Sequence, residues 1–298
     1  MEKTTQLIRL YCTICLLYDN RLVLVAQRLS NNFSPKFTDE ECITIALWGI
    51  INQKFTLRGS YDFIKDFYPN WFPDLPNYKR FNRRVNYLAC AIKELADLLL
   101  GRLCQGANPL IRTHLTDSMP IVVAKQSRSS RAKAAKEICN KGYCEAKDMF
   151  YYGVKLSVLG QSQYKSMPSP RKMELTPASN HDLPILQRMV QDVYGIDLFG
   201  DKAFISADWQ AQILKSNDIR VFTPIKLDKG QERLDSADKL LSIAISRVRQ
   251  PIESFFNWLH EKTNIQEASK VRSTRGLMTF VFSRIAVACL MMLGDVLA

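Results

Sequence analysis

The chain has 298 residues, 47% of them hydrophobic, enough to bury a core in one large domain or two ordinary ones. With 41 Lys and Arg against 29 Asp and Glu, its net charge is +12 and its pI near 9.3, so the expected partners are polyanions: nucleic acid first, acidic membrane surfaces second. Eight scattered cysteines without a secretory signal exclude a disulfide-built secreted domain and point to a reducing, cytoplasmic compartment.

The opening run "LIRLYCTICLLY" is broken by Arg9 and has no small-residue cleavage site, so it reads as a buried helix rather than a signal peptide. Its Cys12 and Cys15 have CxxC spacing but no second ligand pair, which argues against a metal there. "TDEECITIALWGIINQ" starts with a capping box, Thr38 and Glu41, and then sets Ile43, Leu47, Ile50 and Ile51 at helical spacing. A Pro-punctuated turn leads into a long amphipathic helix whose first turns carry Lys79, Arg80, Arg83 and Arg84, with Phe81 and Tyr87 between them. Residues 1–107 are therefore expected to form a helical DNA-binding domain with one basic edge, Arg80, Arg83 and Arg84 facing the nucleic acid.

From about residue 108 a period of two replaces the period of 3.6. "LIRTHLTDSMPIVVA", "FYYGVKLSVLG", "IDLFGDKAFIS" and "IRVFTPIK" are strand candidates. Helical patterns lie between and after them: "DLPILQRMVQDVYG", "DWQAQILKSN", a long region from Ala237 to His260, and a terminal helix. This is a mixed α/β layer over 108–298, its sheet covered on both faces. The basic stretch "KQSRSSRAKAAKEICNKGYCEAKD" reads as a solvated loop or a phosphate-contacting arm, outside the core in either case. The segment from Gly276 to Ala298 is the most hydrophobic, but Arg284 near its centre and Asp295 near its end mark a core helix, so no membrane partner is expected.

Three carboxylates stand where a strand ends or a helix exposes a flank: Asp117 in "HLTDSMPIVV", Asp201 after Gly200 in "DLFGDKAF", and Glu253 in "RVRQPIESFFNWLH". Singly, Asp117 and Asp201 are ordinary turn residues and Glu253 an intrahelical partner for Arg249. Together they have the composition that two-metal phosphoryl chemistry needs, a carboxylate cluster holding two divalent cations about 3.5–4 Å apart. Hard oxygen donors suit Mg²⁺. A cation would also account for an acid at the edge of the apolar stripe formed by Ile252, Phe255, Phe256 and Leu259.

The ordered set "DSMP", "YYGVKLSV", "LTPASNHD", "GDKAF", "RQPIESFFNWL" and "VRSTRG", with "FPDLPNYKRFNRR" before it, resembles insertion-sequence transposases of the DDE superfamily, closest to the insertion sequence 982 family. The resemblance implies an RNase H-like mixed sheet flanked by helices, with Asp117, Asp201 and Glu253 as the catalytic, metal-binding triad. It implies two Mg²⁺ ions, with Mn²⁺ as a possible substitute. The implied partner is double-stranded DNA, as element terminal repeats and as target, bound by a homodimer or larger assembly at the nucleoid. The superfamily often surrounds its Glu with Tyr, Arg and Lys; here Ser246 stands at the Tyr position, Arg249 keeps the Arg, and His260 replaces the Lys, with Lys262 two residues on.

Arg249 is positioned to clamp a phosphate or to pair with Glu253. Lys155, within a strand, is expected to point off the sheet towards solvent or DNA. Lys202 beside Asp201 and the cluster Lys270, Arg272 and Arg275 are candidate backbone contacts. Asp182 suits the N-cap of the helix that follows and is the alternative second acid. His114 reads as a core or edge histidine. No G-x-S-x-G elbow and no Walker loop occur, so neither serine-hydrolase chemistry nor a nucleotide cofactor is expected. The rival expectations are a transposase-derived DNA-binding protein whose site has decayed, and a nuclease without strand transfer.

Overall fold

Capping and apolar spacing set the helices of the first hundred residues. The computed structural model describes residues 2–26, 35–106, 108–227, 230–231 and 233–294. Helix α1 (Lys3–Leu17) buries Leu7, Leu10, Ile14 and Leu17, one residue per turn, and runs through a π-helical turn, Tyr18–Leu22, into the short α2 (Val23–Val25). The capping box on α3 (Asp39–Ile51) is formed: the Glu41 amide donates to Thr38 Oγ1 at 3.2 Å, and the Thr38 amide to Glu41 Oε2 at 2.7 Å. Next come α4 (Leu57–Phe67), α5 (Tyr78–Tyr87) and α6 (Ala89–Gln105). The single long helix expected over this last stretch is thus two, broken at Leu88 with no Gly or Pro to mark the break.

The strands are β1 (Thr113–Lys125), β2 (Asn140–Cys144), β3 (Met149–Gln163) and β4 (Ser166–Pro177), and then, after α7 (Asp182–Met189), β5 (Asp197–Phe199); β6 (Arg220–Phe222) follows α8 (Ala207–Asn217). The long α9 (Ser236–Thr263) and the terminal α10 (Thr274–Leu293) complete the chain.

Two compact units result. One comprises Met1–Leu103, Lys133–Glu137 and Leu259–Ala298; the other Cys104–Ala132 and Ile138–Trp258. The division differs from a cut at 107/108 because α10 packs on α3 and α5, and Thr274 donates to the Glu137 carboxylate, so the C-terminal helix belongs with the first helices. In this helical unit α3 is central, buried from Cys42 to Ile50 and touching α1, α4, α5 and α10. Helix α10 is long and apolar enough to cross a membrane, but 67% of its apolar window is buried within the protein, as a core helix would be. Asp295 lies outside the described residues.

In the other unit the sheet order is β2-β3-β1-β5-β6, with β4 also on β3. The pairs β1–β3, β2–β3 and β3–β4 are antiparallel; β1–β5 and β5–β6 are parallel. Antiparallel strands on one side of a central first strand, parallel strands on the other and helices flanking them make an RNase H-like mixed α/β fold. Leu159, Leu198 and Ile219 of the sheet side close a core with Ile185, Leu186 and Met189 of α7 and Ile213 of α8.

Two strands were not expected. β4 carries Pro168, Pro170 and Pro177, which argue against a strand in the middle of a sheet, but it pairs with β3 alone and so can accommodate residues that lack an N–H. β2 lies inside the basic stretch, where Gly142 lets the backbone approach Ala178: an added Cβ would lie 2.5 Å from its carbonyl oxygen.

Candidate active site

The parallel pairing of β1 and β5 sets Leu115 opposite Phe199 and then stops. One step further Gly200 still lies against Thr116; a Cβ there would meet Phe204 Cδ2 at 2.7 Å and Thr116 Cγ2 at 3.2 Å. The residues that come next are Asp117 on β1 and Asp201, N-cap of a 3₁₀ turn (Lys202–Phe204), whose Oδ1 accepts the Lys202 amide at 2.6 Å. They stand in the crevice at the carboxyl end of a short parallel pair, the usual ligand position in open α/β sheets.

Helix α9 supplies the third acid. Its buried side is Ile245, Ile252, Phe255 and Leu259, and Glu253 sits on the flank with half of its side chain exposed. Pro251 removes the N–H that would bond the Arg247 carbonyl, interrupting the helix ladder beside Glu253. Arg249 ties the elements together: Nη1 donates to Asp117 Oδ2 at 2.8 Å and Nη2 to Glu253 Oε1 at 3.0 Å. Asp117 Oδ1 accepts the Ser118 amide at 2.8 Å.

Burial pushes the Asp117 carboxyl up to about 6; Arg249 and the Ser118 amide oppose that rise, while the charges of Asp201 and Glu253 add to it. Arg249 thus bonds two of the acids, Asp117 and Glu253, and the charge of Asp201 reaches Asp117. The donor set, hard carboxylate oxygens, fits divalent cations of the Mg²⁺ kind. As the side chains stand, no three His, Cys, Asp or Glu groups among the described residues are close enough to hold a metal, and the Arg249 guanidinium sits between two of them.

A cleft of about 560 Å³ opens beside Asp201, lined by Lys202, Lys239, Ser246, Arg247 and Arg249. Lys202 thus lines the cleft beside Asp201. Lys239 and Arg247 were not singled out, because only the fold shows that they face the same cleft as Asp201.

Other expected contacts are placed differently. Lys155 is mostly buried and donates to Asp182 Oδ1 at 3.1 Å and to the Asn180 carbonyl at 3.0 Å, rather than pointing to solvent. Asp182 is the first residue of α7, whose N-cap is His181, and it pairs with Lys155. Arg84 is turned inward: it donates to both oxygens of the buried Asp39, through Nε at 2.6 Å and through Nη2, and also to the Ala26 carbonyl. The expectation that it faces DNA is corrected, because Asp39, buried at the start of α3, needs a cation.

Arg80 and Arg83 are exposed, and Arg83 and Arg275, 192 positions apart, both lie over the Tyr87 ring, at 5.9 and 5.0 Å from its centroid. Lys270 and Arg272 line a separate cavity of the helical unit. His260 also belongs to the helical unit. His114 is buried, with Nδ1 2.8 Å from the Arg112 carbonyl. Cys12 and Cys15 are free thiols.

A family model described as "Transposase DDE domain" matches residues 110–274, more than half of the chain. No curated protein and no solved structure matches. The match spans Asp117, Asp201 and Glu253, and the chain belongs to the DDE-domain transposases.

Proposed function

We propose that this transposase cuts and joins DNA phosphodiesters at the ends of an insertion sequence of the 982 family, with Asp117, Asp201 and Glu253 as its catalytic acids. The observation that carries the reading is the sharing of Arg249 by Asp117 and Glu253 while the charge of Asp201 bears on Asp117. Asp117 and Glu253, 136 positions apart, are held to one guanidinium while a third acid adds its charge.

The acids would hold two Mg²⁺ ions, or Mn²⁺ in their place; when bound, such ions activate the attacking oxygen and stabilise the leaving one. The chain itself contributes position and charge. Once a cation neutralises Asp117 and Glu253, the Arg249 fork is free to take a phosphate, for which its paired donors are suited. Lys202, Lys239 and Arg247 line the cleft beside Asp201 and would hold the backbone of the strand being cut. In the helical unit, exposed Arg80, Arg83 and Arg275 would grip the flanks of the terminal repeats, and pairing two ends calls for a dimer or larger assembly. Lys155, engaged by Asp182, would act from behind by fixing the start of α7.

The Arg249 bridge also favours a second reading, a decayed DNA-binding descendant in which the ion pair has closed the site. Cutting of duplexes that carry the element's ends, with Mg²⁺ in excess, separates the two. The wild type is expected to nick and join them, Asp201→Asn to bind without cutting; binding without cutting by the wild type would select the descendant.

A further inference from the structure

The helical unit contains a cavity of about 520 Å³, within the size range of small-molecule sites. Its walls come from α3, α4, α5 and α10, and from the segment 264–273 before α10. None of the catalytic acids is part of it. Ile50, Phe55 and Phe280 give it apolar surface, whereas Lys270, Arg272 and Arg284 bring three cations against one lining carboxylate, Glu267; Arg58, also in the lining, is paired with Asp62.

Arg284 is the informative one. It is 4% exposed, in the middle of the most apolar helix, and no carboxylate lies within ion-pair distance among the described residues. Nη1 donates to the Phe280 carbonyl at 2.9 Å and Nη2 to the Phe55 carbonyl at 2.7 Å; the guanidinium lies 3.4 Å from the Phe280 ring centroid, and Nε has no acceptor. Burial alone lowers its pKa to about 9, so it is a cation at neutral pH. Burying a charge with no counter-charge costs several kcal/mol. A core helix that needed only apolar packing would be better served by Leu or Met at this position.

Two further side chains on the same wall are unmet. Thr279 and Ser283, both 3% exposed, have hydroxyls without a hydrogen-bond partner. The cavity rim is the N-terminus of α10, a 20-residue helix with Ser273 as N-cap, which adds positive potential there. Cations at the rim and a buried cation with unmet hydroxyls inside match a ligand that has an anion, further polar edges and a flat apolar part.

We propose that this cavity binds a nucleotide unit, its phosphate held by Lys270, Arg272 and Arg284 and its base set against Phe55 and Phe280. The unit is either a free nucleoside monophosphate or one nucleotide of a DNA strand. Because the cavity and the catalytic acids belong to different units, the proposal stands apart from the chemistry proposed for the acids.

Isothermal titration calorimetry on the full chain tests it, with 2′-deoxyadenosine 5′-monophosphate, inorganic phosphate and a single-stranded decanucleotide as probes. Proteins compared are the wild type, Arg284→Met, the rim double variant Lys270→Ala/Arg272→Ala, and Lys215→Ala, which removes an exposed charge on α8. The monophosphate or the decanucleotide is expected to bind the wild type and Lys215→Ala alike, at least tenfold more weakly the rim variant and Arg284→Met, and inorganic phosphate more weakly than either probe. Loss confined to the decanucleotide assigns the unit to a strand; loss with the monophosphate too assigns a free-ligand site. If Arg284→Met fails to fold, the exposed rim variant decides alone. Equal binding by wild type and rim variant, or no binding of any probe by the wild type, overturns the proposal.

Discussion

Two arginine–carboxylate clusters, one in each unit, differ in how completely their charges are matched. In the helical unit Arg84 faces one acid, Asp39, and takes both of its oxygens; the Tyr18 hydroxyl donates to the same carboxylate at 2.9 Å. That pair is mostly buried and electrically balanced, as a group that holds α3 to α5 should be. In the other unit Arg249 is divided between Asp117 and Glu253, its Nε has no acceptor, and Asp201 adds a further negative charge. A balanced cluster has little left to bind, whereas the divided one is where the proposed function places an external cation.

The strongest way to break this comparison is to neutralise one acid at a time. Asp201→Asn is expected to lower strand cutting by about 10³-fold or more at saturating Mg²⁺, while thermal stability holds or rises as repulsion on Asp117 is relieved. A cutting rate near that of the wild type would remove Asp201 from the site. The mirror experiment belongs to the other cluster: Arg84→Ala leaves the buried Asp39 without its guanidinium and should cost about 3–5 kcal/mol in denaturant unfolding. Replacing both partners, Arg84→Met with Asp39→Leu, should recover most of that loss, because apolar groups of similar size can substitute for a buried pair.

The same contrast explains what could be read in the sequence. Asp117, Asp201 and Glu253, the acids proposed to be catalytic, stood out because each breaks a local pattern: an acid within an alternating strand, an acid after Gly, an acid on an apolar flank. The Thr38–Glu41 capping box was legible because its hydrogen bonds are local. Arg84 was not, since Arg83 and Arg84 are equivalent in composition and only the distant, buried Asp39 tells them apart. β4 stayed hidden behind its prolines, which an edge strand tolerates. Helix α10 was recognised as a core helix, but its partners, α3 and α5, lie far away in sequence, so the make-up of the units was not legible.

A smaller effect sharpens the role of Arg249. Arg249→Ala removes the sole cation that touches both Asp117 and Glu253 among the described residues, so a divalent ion should stabilise the variant against heat more than it stabilises the wild type. Cutting should nevertheless fall about 10–100-fold, because a phosphate loses its fork. Unchanged cutting would make Arg249 a spectator that only fills the empty crevice.

The smallest effect compares neighbours on one helix. Arg83 and Arg275 converge on Tyr87 at the surface, while Arg84, the next residue along, is spent on Asp39. Each phosphate contact contributes about 0.9 to the slope of log K against log salt on B-DNA. Arg83→Ala and Arg275→Ala should therefore each flatten that slope by about one unit, and the double variant by about two, with little change in melting temperature. Arg84→Ala, measured where it is still folded, should leave the slope as it is. Stability and salt dependence thus separate the two arginines: Arg84 contributes its charge to the core through Asp39, and Arg83 keeps its charge at the surface.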